Sequence, residues 1–191
     1  MITDLLFKNA PKGWRVDSTK NVYVNDLIEL YEDTLELGAR GNKVYIRGIR
    51  RNYSTIVPFI SRTQILAIKS YRHIVDSVQI EVPSGYIENG ESPQYAAIRE
   101  LKEETGYAAQ RIVSIGSYTL DYSMFEQTGN IFVAYDLVRE GEQSLGKMET
   151  IELTILTINE IRRLLFDGKI INAASIVALY KAIEYHQRSL A

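Results

Sequence analysis

The sequence predicts an α+β protein in which a mixed sheet lies between helices as an α/β/α sandwich. Strand-like segments precede one helix, further strands follow it, and two helical segments occupy the tail, an order typical of this architecture. The chain has 191 residues, of which 46% are hydrophobic and 24% charged, so it is long enough to bury a substantial core. We expect a small antiparallel β subdomain over residues 1–53 and the main domain over residues 54–191.

The first third of the chain predicts the β subdomain. Apolar residues alternate with polar ones in NVYVNDLIELYEDTLEL and in NKVYIRGIRR, a pattern typical of half-buried strands. The GARGN segment between them is rich in glycine and favours a turn. An antiparallel unit is therefore predicted over residues 10–53.

The next segments predict the first strands of the main domain. STIVPFI and QILAIKSYR are typical of two strands that pair across a short turn at Ser61–Thr63. VQIEVPSG predicts another strand, which leads directly into the central helix.

The central helix is predicted to run from Pro93 to Thr105. Ser92 is a good N-cap residue, and Pro93 stands at the first helical position, where an N–H group would have no helical partner. Gly106 is placed to end the helix in a left-handed conformation. We expect one side of this helix to be packed, namely the side formed by Ala97, Ile98, Leu101 and Thr105.

The remainder of the chain predicts more strands and then helices. The strands are RIVSIGSYTL, NIFVAYDLV and IELTILT. The helices are INEIRRLLFDG and NAASIVALYKAIEYHQRSL, and His186 in the second is expected on the surface.

Composition narrows the functional class. The formal net charge of −2 gives no indication of a surface that binds nucleic acid. The chain has no cysteine, which excludes disulfides and thiolate chemistry and fits a cytoplasmic location. No apolar run approaches the roughly 20 residues of a membrane helix, so we expect no membrane partner.

Three glutamates lie on one face of the central helix. Glu103 and Glu104 follow Glu100 by three and four positions, so each is its neighbour on the helix surface. Like charges at these spacings destabilise a helix by about 0.2–0.5 kcal/mol per pair. A hard divalent cation would compensate, because Mg2+ prefers carboxylate oxygens and also binds substrate phosphates. On the glutamates alone, a solvated acidic face is the usual explanation of such a run of charges.

The full segment of residues 85–107 resembles the signature of the Nudix hydrolases, G-x5-E-x7-R-E-U-x-E-E-x-G-U, in which U is a bulky aliphatic residue. The positions that match are Gly85, Glu91, Arg99, Glu100, Leu101, Glu103, Glu104 and Gly106. Only the last position differs, where the large apolar body of Tyr107 can still pack. So many specified positions at fixed spacing are far more specific than a lone glycine motif.

This resemblance implies the Nudix fold and a metal-dependent hydrolase. In such an enzyme, clustered carboxylates collect Mg2+ (or Mn2+) ions against a diphosphate, and a water attacks phosphorus. The resemblance extends to ADP-ribose pyrophosphatases and related nucleoside-diphosphate-sugar hydrolases, through IEVPSGYIENGES, Arg72 and the tail segment from Gly168 to Leu179. It implies hydrolysis of ADP-ribose to AMP and ribose 5-phosphate, and a homodimer formed by the N-terminal β unit.

The resemblance also implies roles for individual residues. The implied metal ligands are the Ser84 carbonyl, Glu100, Glu103, Glu104 and Glu149. The implied catalytic residues are Arg99, Glu103, Glu104 and Glu149. Arg72 and Glu81 are expected to contact the small-molecule nucleotide substrate, and Glu91 to support the junction between loop and helix.

Two departures leave alternatives open. Residues 117–128 lack the Ser-Pro-Gly-like turn of many ADP-ribose pyrophosphatases, and Tyr118 and Tyr122 stand there either as stacking groups or as packing groups. Lys147 occupies a position where some relatives carry an acid proposed as the base. Another nucleotide sugar, a diadenosine polyphosphate or coenzyme A therefore remains an alternative substrate. A non-catalytic, nucleotide-binding regulatory module is the alternative outside the enzyme class.

Overall fold

The computed structural model describes residues 9–190, which form two compact units. The first unit consists of residues up to Arg51 together with Asp121–Gln127, and the second consists of Asn52–Leu120 and the residues from Thr128 onward. The membership of Asp121–Gln127 in the first unit was not predicted. Residues 1–8 of the predicted β subdomain, and residue 191 of the predicted main domain, lie outside the described residues.

Eleven strands and three α-helices are formed within residues 9–190. The strands are β1 Trp14–Val24, β2 Ile28–Leu37, β3 Asn42–Arg50, β4 Tyr53–Pro58, β5 Gln64–Arg72, β6 Ser77–Glu81, β7 Ser84–Tyr86, β8 Tyr107–Thr119, β9 Phe125–Glu126, β10 Thr128–Arg139 and β11 Ile151–Thr157. The helices are α1 Pro93–Thr105, α2 Ile158–Phe166 and α3 Ala173–Leu190.

The first unit is one sheet in the order β1-β2-β3-β9. The antiparallel pairing predicted here is confirmed, but in three strands, because NVYVNDLIELYEDTLEL supplies the end of β1 and all of β2. A short 3-10 helix at Gly38–Arg40 forms the turn between β2 and β3. β9 adds a parallel pairing at the edge of β3, where Gly48 lies opposite Phe125. A Cβ atom on Gly48 would overlap the Phe125 ring, so the glycine allows β9 to approach β3 closely.

The second unit contains two sheets, in the orders β7-β4-β10-β8 and β11-β5-β6. β4 and β5 were predicted to pair with each other, and this prediction was wrong: they belong to different sheets and share only the isolated bridge between Phe59 and Ile65. β4 instead pairs in parallel with β10. Its six residues are all buried, and a strand covered on both faces belongs at the centre of a sheet between helices.

Helices cover both faces of the four-stranded sheet, which confirms the α/β/α architecture. On β4, Ile56 lies in an apolar cluster with Leu101 of α1. The next residue, Val57, points to the opposite face and lies in a cluster with Leu179 of α3. Successive strand side chains point to opposite faces, so an uninterrupted apolar run supplies both layers.

Helix α1 has the predicted bounds. The Ser92 side chain accepts a hydrogen bond of 3.2 Å from the N–H three residues later, and Gly106 ends the helix with a φ of 75°. The predicted packed side is wrong at one position, because Ile98 is 36% exposed. Glu104 is buried instead, so the buried stripe includes a carboxylate and is rotated away from Ile98.

Helix α3 contains a buried histidine, so the surface position predicted for His186 was wrong. His186 is 4% exposed, and its ring stacks on Phe59 with the ring centroids 4.1 Å apart. Its ring nitrogens lie 3.2 Å from the Tyr135 hydroxyl and 3.0 Å from the Arg62 carbonyl oxygen. It lies one helical turn after the buried Ile183, which places it on the apolar stripe of α3. Within residues 9–190, none of the helices is long and apolar enough to cross a membrane.

Candidate active site

Helix α1 carries the three signature glutamates at different depths. Glu104 is 5% exposed, Glu100 is partly buried, and Glu103 is the most accessible of the three. This gradient arises because Glu104 lies on the stripe that packs against the sheet. The helix therefore presents carboxylates from the sheet surface out to solvent.

The strand β7 contacts Glu104, the most buried of the three signature glutamates. The Ser84 N–H donates a hydrogen bond of 3.0 Å to Oε2 of Glu104. Burial raises the pKa of Glu104 to about 9, and the charge of Glu100 adds to this shift. An anionic Glu104 therefore requires a positive partner.

Gly85 makes room for the second carboxylate. A Cβ atom on Gly85 would overlap the carboxylate of Glu100. Burial also raises the pKa of Glu100, while its ion pair with Arg99 opposes the shift. Ser84 and Gly85 are consecutive residues of β7. The backbone of this strand therefore contacts the side chains of both Glu104 and Glu100.

Arg99 organises the acidic cluster. Its guanidinium donates to both carboxylate oxygens of Glu91, at 2.9 and 3.1 Å, in a bidentate pair. It also donates to Glu100 at 2.6 Å, to Glu103 at 3.0 Å and to the Tyr86 carbonyl oxygen at 3.0 Å. These bonds, above all the pair with Glu91, raise the pKa of Arg99 and lower the pKa of Glu91.

Arg72 and Glu81 form a bidentate pair across neighbouring strands. The two hydrogen bonds measure 2.8 and 2.7 Å, and Glu81 is 1% exposed whereas the Arg72 side chain is 44% exposed. The bond to Glu81 is the main reason that the pKa of Arg72 is raised, and the charges of Glu104 and Glu149 contribute. Arg72 thus presents a positive group close to the acidic cluster, and its two hydrogen bonds to the buried Glu81 fix its orientation.

Glu149 lies in the loop between β10 and β11. Its carboxylate accepts a hydrogen bond of 2.7 Å from the Gly146 N–H, within a turn closed by a 3.0 Å backbone bond between the same residues. Burial is the main cause of the raised pKa values of Glu100 and Glu104, and the charge of Glu149 adds to both. Glu149 is thus near enough to influence the cluster, although its hydrogen bond is to its own loop.

The chemistry of these groups fits a divalent cation. The buried carboxylate of Glu104, the partly buried one of Glu100 and the accessible one of Glu103 offer hard oxygen ligands. Among residues 9–190, no three acidic or histidine side chains converge tightly enough to form a metal site as they stand. Arg99 donates hydrogen bonds to Glu100 and Glu103, whereas Glu104 accepts one from the Ser84 N–H. Each carboxylate uses one oxygen in these bonds and has a second for a metal.

Sequence reasoning missed one polar residue near the cluster. Gln143 donates through its side-chain amide to the carbonyl oxygens of Glu104 and Ile151. A single glutamine in a polar loop carries no pattern that would reveal this contact. Tyr118, one of the aromatic residues left open, packs edge-on against Tyr53 and shares a 2.6 Å hydroxyl–hydroxyl bond with it.

Comparisons with known proteins identify the family of the chain. Residues 50–178 match the NUDIX domain family. An ADP-ribose pyrophosphatase from Bacillus subtilis is 26% identical over 163 residues, covering 84% of this chain and 87% of that protein. A methanol dehydrogenase activator from Bacillus methanolicus is 24% identical over 164 residues, covering 84% of this chain and 88% of that protein.

A solved structure agrees with the fold. The crystal structure of an ADP compounds hydrolase superposes with a TM-score of 0.82 and 26% identity, covering 93% of this chain and 96% of that one. The predicted α+β fold and the predicted family are thereby confirmed. Because the family match takes in more than half of the chain and includes α1 with its glutamates, this protein belongs to the Nudix family and is a Nudix hydrolase.

Proposed function

We propose that the protein is a metal-dependent pyrophosphohydrolase of a nucleoside diphosphate linked to another moiety, with ADP-ribose as the substrate. The observation that carries the proposal is the buried carboxylate of Glu104, with the partly buried Glu100 beside it and the half-exposed guanidinium of Arg72 nearby. Such a site binds cations and phosphates together. The expected products from ADP-ribose are AMP and ribose 5-phosphate.

The proposed metal ligands come from α1, from the loop that carries Glu149 and from the backbone of β7. Glu100 and Glu104 would hold Mg2+ or Mn2+, with Glu103, Glu149 and the Ser84 carbonyl oxygen as further ligands. A bound divalent cation would neutralise phosphate oxygens and lower the pKa of a water. The raised pKa of Glu104, caused mainly by burial, supports this assignment because a cation would offset the cost of its charge.

The remaining residues bind and position the substrate. Arg72 would contact the diphosphate, since its guanidinium is held rigidly by Glu81 while half of it faces solvent. Arg99 would keep Glu100 and Glu103 in place through its hydrogen bonds. Glu149 or Glu103 would accept the proton of the attacking water, because both are accessible carboxylates.

ADP-ribose is proposed on the names of the relatives. Proteins named ADP-ribose pyrophosphatase and ADP compounds hydrolase match most of this chain. Both names fit a diphosphate that joins adenosine to a second group. Arg72 recognises the shared diphosphate, so it does not by itself distinguish one second group from another.

A panel of substrates tests the proposal. With Mg2+, the protein is expected to release AMP from ADP-ribose faster than it cleaves ADP-glucose, GDP-mannose, diadenosine tetraphosphate or coenzyme A. Glu104→Gln should abolish this activity, whereas Glu142→Gln, an exposed loop substitution, should not. Faster turnover of another member would replace ADP-ribose as the substrate and leave the reaction class standing.

A regulatory role is the second candidate, and one relative favours it. The protein from Bacillus methanolicus that covers 84% of this chain is named methanol dehydrogenase activator. If folded, Mg2+-loaded protein turns over no member of the panel yet binds ADP-ribose in calorimetry, the regulatory function is preferred. The intact signature glutamates favour the hydrolase.

We further propose that the first unit forms a homodimer. It exposes several large apolar side chains: Val22, Tyr23, Val24, Leu27, Val44, Tyr45 and Ile46. Apolar side chains grouped in this way mark interaction surfaces. Light scattering should give the mass of a dimer, and Val44→Glu should give a monomer while Lys43→Glu should not. A monomeric wild-type protein would contradict this proposal.

A further inference from the structure

The C-terminal end of α1 is joined to the segment that leaves β10. The Ser144 N–H donates a 2.8 Å hydrogen bond to the carbonyl oxygen of Glu103. The side-chain amide of Gln143 donates a 2.6 Å hydrogen bond to the carbonyl oxygen of Glu104. Carbonyls in the last turn of a helix have no partner within the helix, so residues 143 and 144 satisfy two of them.

Gln143 makes a second contact that helix capping does not require. The same amide nitrogen lies 3.3 Å from the carbonyl oxygen of Ile151, the first residue of β11. A primary amide has two N–H groups, one for each carbonyl. Both neighbours are acceptors, so this orientation of the amide is the one that chemistry allows.

These two bonds close the base of the loop that carries Glu149. The loop leaves Gln143, passes through the turn of Gly146 and Glu149, and returns at Ile151. One side-chain nitrogen therefore joins the start of the loop, its end and the helix of Glu104. The contact fixes the position of the Glu149 turn relative to the carboxylates of α1.

We propose that Gln143 is a positioning residue that sets the reach of Glu149 toward the metal site on α1. The inference rests on the proposed function, because it takes Glu149 as a metal ligand or proton acceptor. In this proposal Gln143 contacts the carbonyl oxygens of Glu104 and Ile151 and is not itself a metal ligand. It acts through the loop that it closes.

Substitutions at Gln143 separate positioning from simple loss of a side chain. Gln143→Leu keeps the size but removes both N–H groups. Gln143→Lys restores a donor that can reach two carbonyl oxygens, with a positive charge that suits the end of a helix. Glu142→Ala, next to it, alters an exposed side chain that pairs with the exposed Arg139 and serves as the matched control.

Two readouts are measured for each variant: kcat for ADP-ribose at saturating Mg2+, and the Kd for Mg2+ by calorimetry. Gln143→Leu is expected to lower kcat or weaken Mg2+ binding about 10- to 100-fold, as is usual for groups that orient metal ligands, while KM changes little. Gln143→Lys should recover most of the loss. Glu142→Ala should match the wild type.

A double-substitution cycle with Glu149→Gln decides whether the effect passes through Glu149. If it does, Gln143→Leu has little further effect once Glu149 is replaced, because the two losses are not additive. Additive losses, or wild-type kcat and Mg2+ affinity in Gln143→Leu, would overturn the inference. Absence of turnover by the wild type would count against the proposed function instead, and Mg2+ binding across the cycle would still test Gln143.

Discussion

The Cα atom of Gly85 faces the carboxylate of Glu100 so closely that no side chain fits between them, since even a single Cβ atom would overlap that carboxylate. Gly85 lies on β7 and Glu100 on α1, so the contact determines how near the strand approaches the helix. The same carboxylate of Glu100 accepts a hydrogen bond of 2.6 Å from Arg99. The position of one proposed metal ligand thus depends on a residue that has no side chain.

We predict that Gly85→Ala reduces kcat/KM by about 100-fold or more, because it displaces the proposed metal ligand Glu100 by about 1 Å. Gly141→Ala is the matched control, since a Cβ atom there would meet nothing within 4 Å and its backbone is not left-handed. Steady-state kinetics on both variants test this, with circular dichroism to confirm folding. Wild-type kinetics for Gly85→Ala would show that the contact with Glu100 is unimportant.

We predict that Glu104→Gln makes the metal-free protein more stable by about 1 kcal/mol or more, because it removes a buried carboxylate beside Glu100. The amide oxygen of glutamine can still accept from the Ser84 N–H. Urea denaturation with a chelator measures this difference. Adding Mg2+ should stabilise the wild type more than the variant. Equal responses to Mg2+ would argue against Glu104 as a ligand.

We predict that Arg99→Lys lowers activity about 10- to 100-fold, as for other groups that orient metal ligands. Lysine keeps the charge but does not reproduce the bidentate pair with Glu91 together with the bonds to Glu100 and Glu103. Arg139→Lys is the control, because the Arg139 side chain, at the end of β10, pairs with the exposed residues Gly141 and Glu142. Kinetics across a range of Mg2+ concentrations should show weaker metal activation in Arg99→Lys alone.

We predict that His186→Ala destabilises the protein by about 3 kcal/mol, because it leaves a cavity beside Phe59 and removes the partner of the Arg62 carbonyl oxygen. Chemical denaturation measures this loss, and Glu184→Ala is an exposed control on the same helix. The kcat of the folded variant should be unchanged, since His186 plays no part in the proposed chemistry. A change in kcat of the fully folded variant would show that His186 is coupled to the active site.

The sequence predicted α1 with its correct ends because its start and stop are encoded locally. Ser92 and Pro93 begin the helix and Gly106 ends it, and each acts within one turn. The strands β2 and β3 were likewise predictable from alternation. Their pairing was less so: β4 joined β10 rather than β5, because a strand that is apolar on both faces is stable where helices cover both sides.

Contacts between distant residues were not predictable from the pattern. The two-residue strand β9 is too short for any periodicity, and its partner β3 lies far back in the chain. Gln143 reaches Glu104 through a polar loop of ordinary composition. The burial of His186 could have been inferred from its spacing to Ile183, but histidine is usually placed at a surface when nothing else is known.

The discontinuous first unit has a consequence for how the protein is made. On the ribosome, β1, β2 and β3 emerge first, and the edge of β3 then has no parallel neighbour until β9 has been synthesised, after the whole of β4 to β8. An uncovered strand edge invites pairing with other nascent chains. Because this unit is discontinuous in sequence, transplanting it into a relative requires two segments, Asp121–Gln127 as well as the residues up to Arg51.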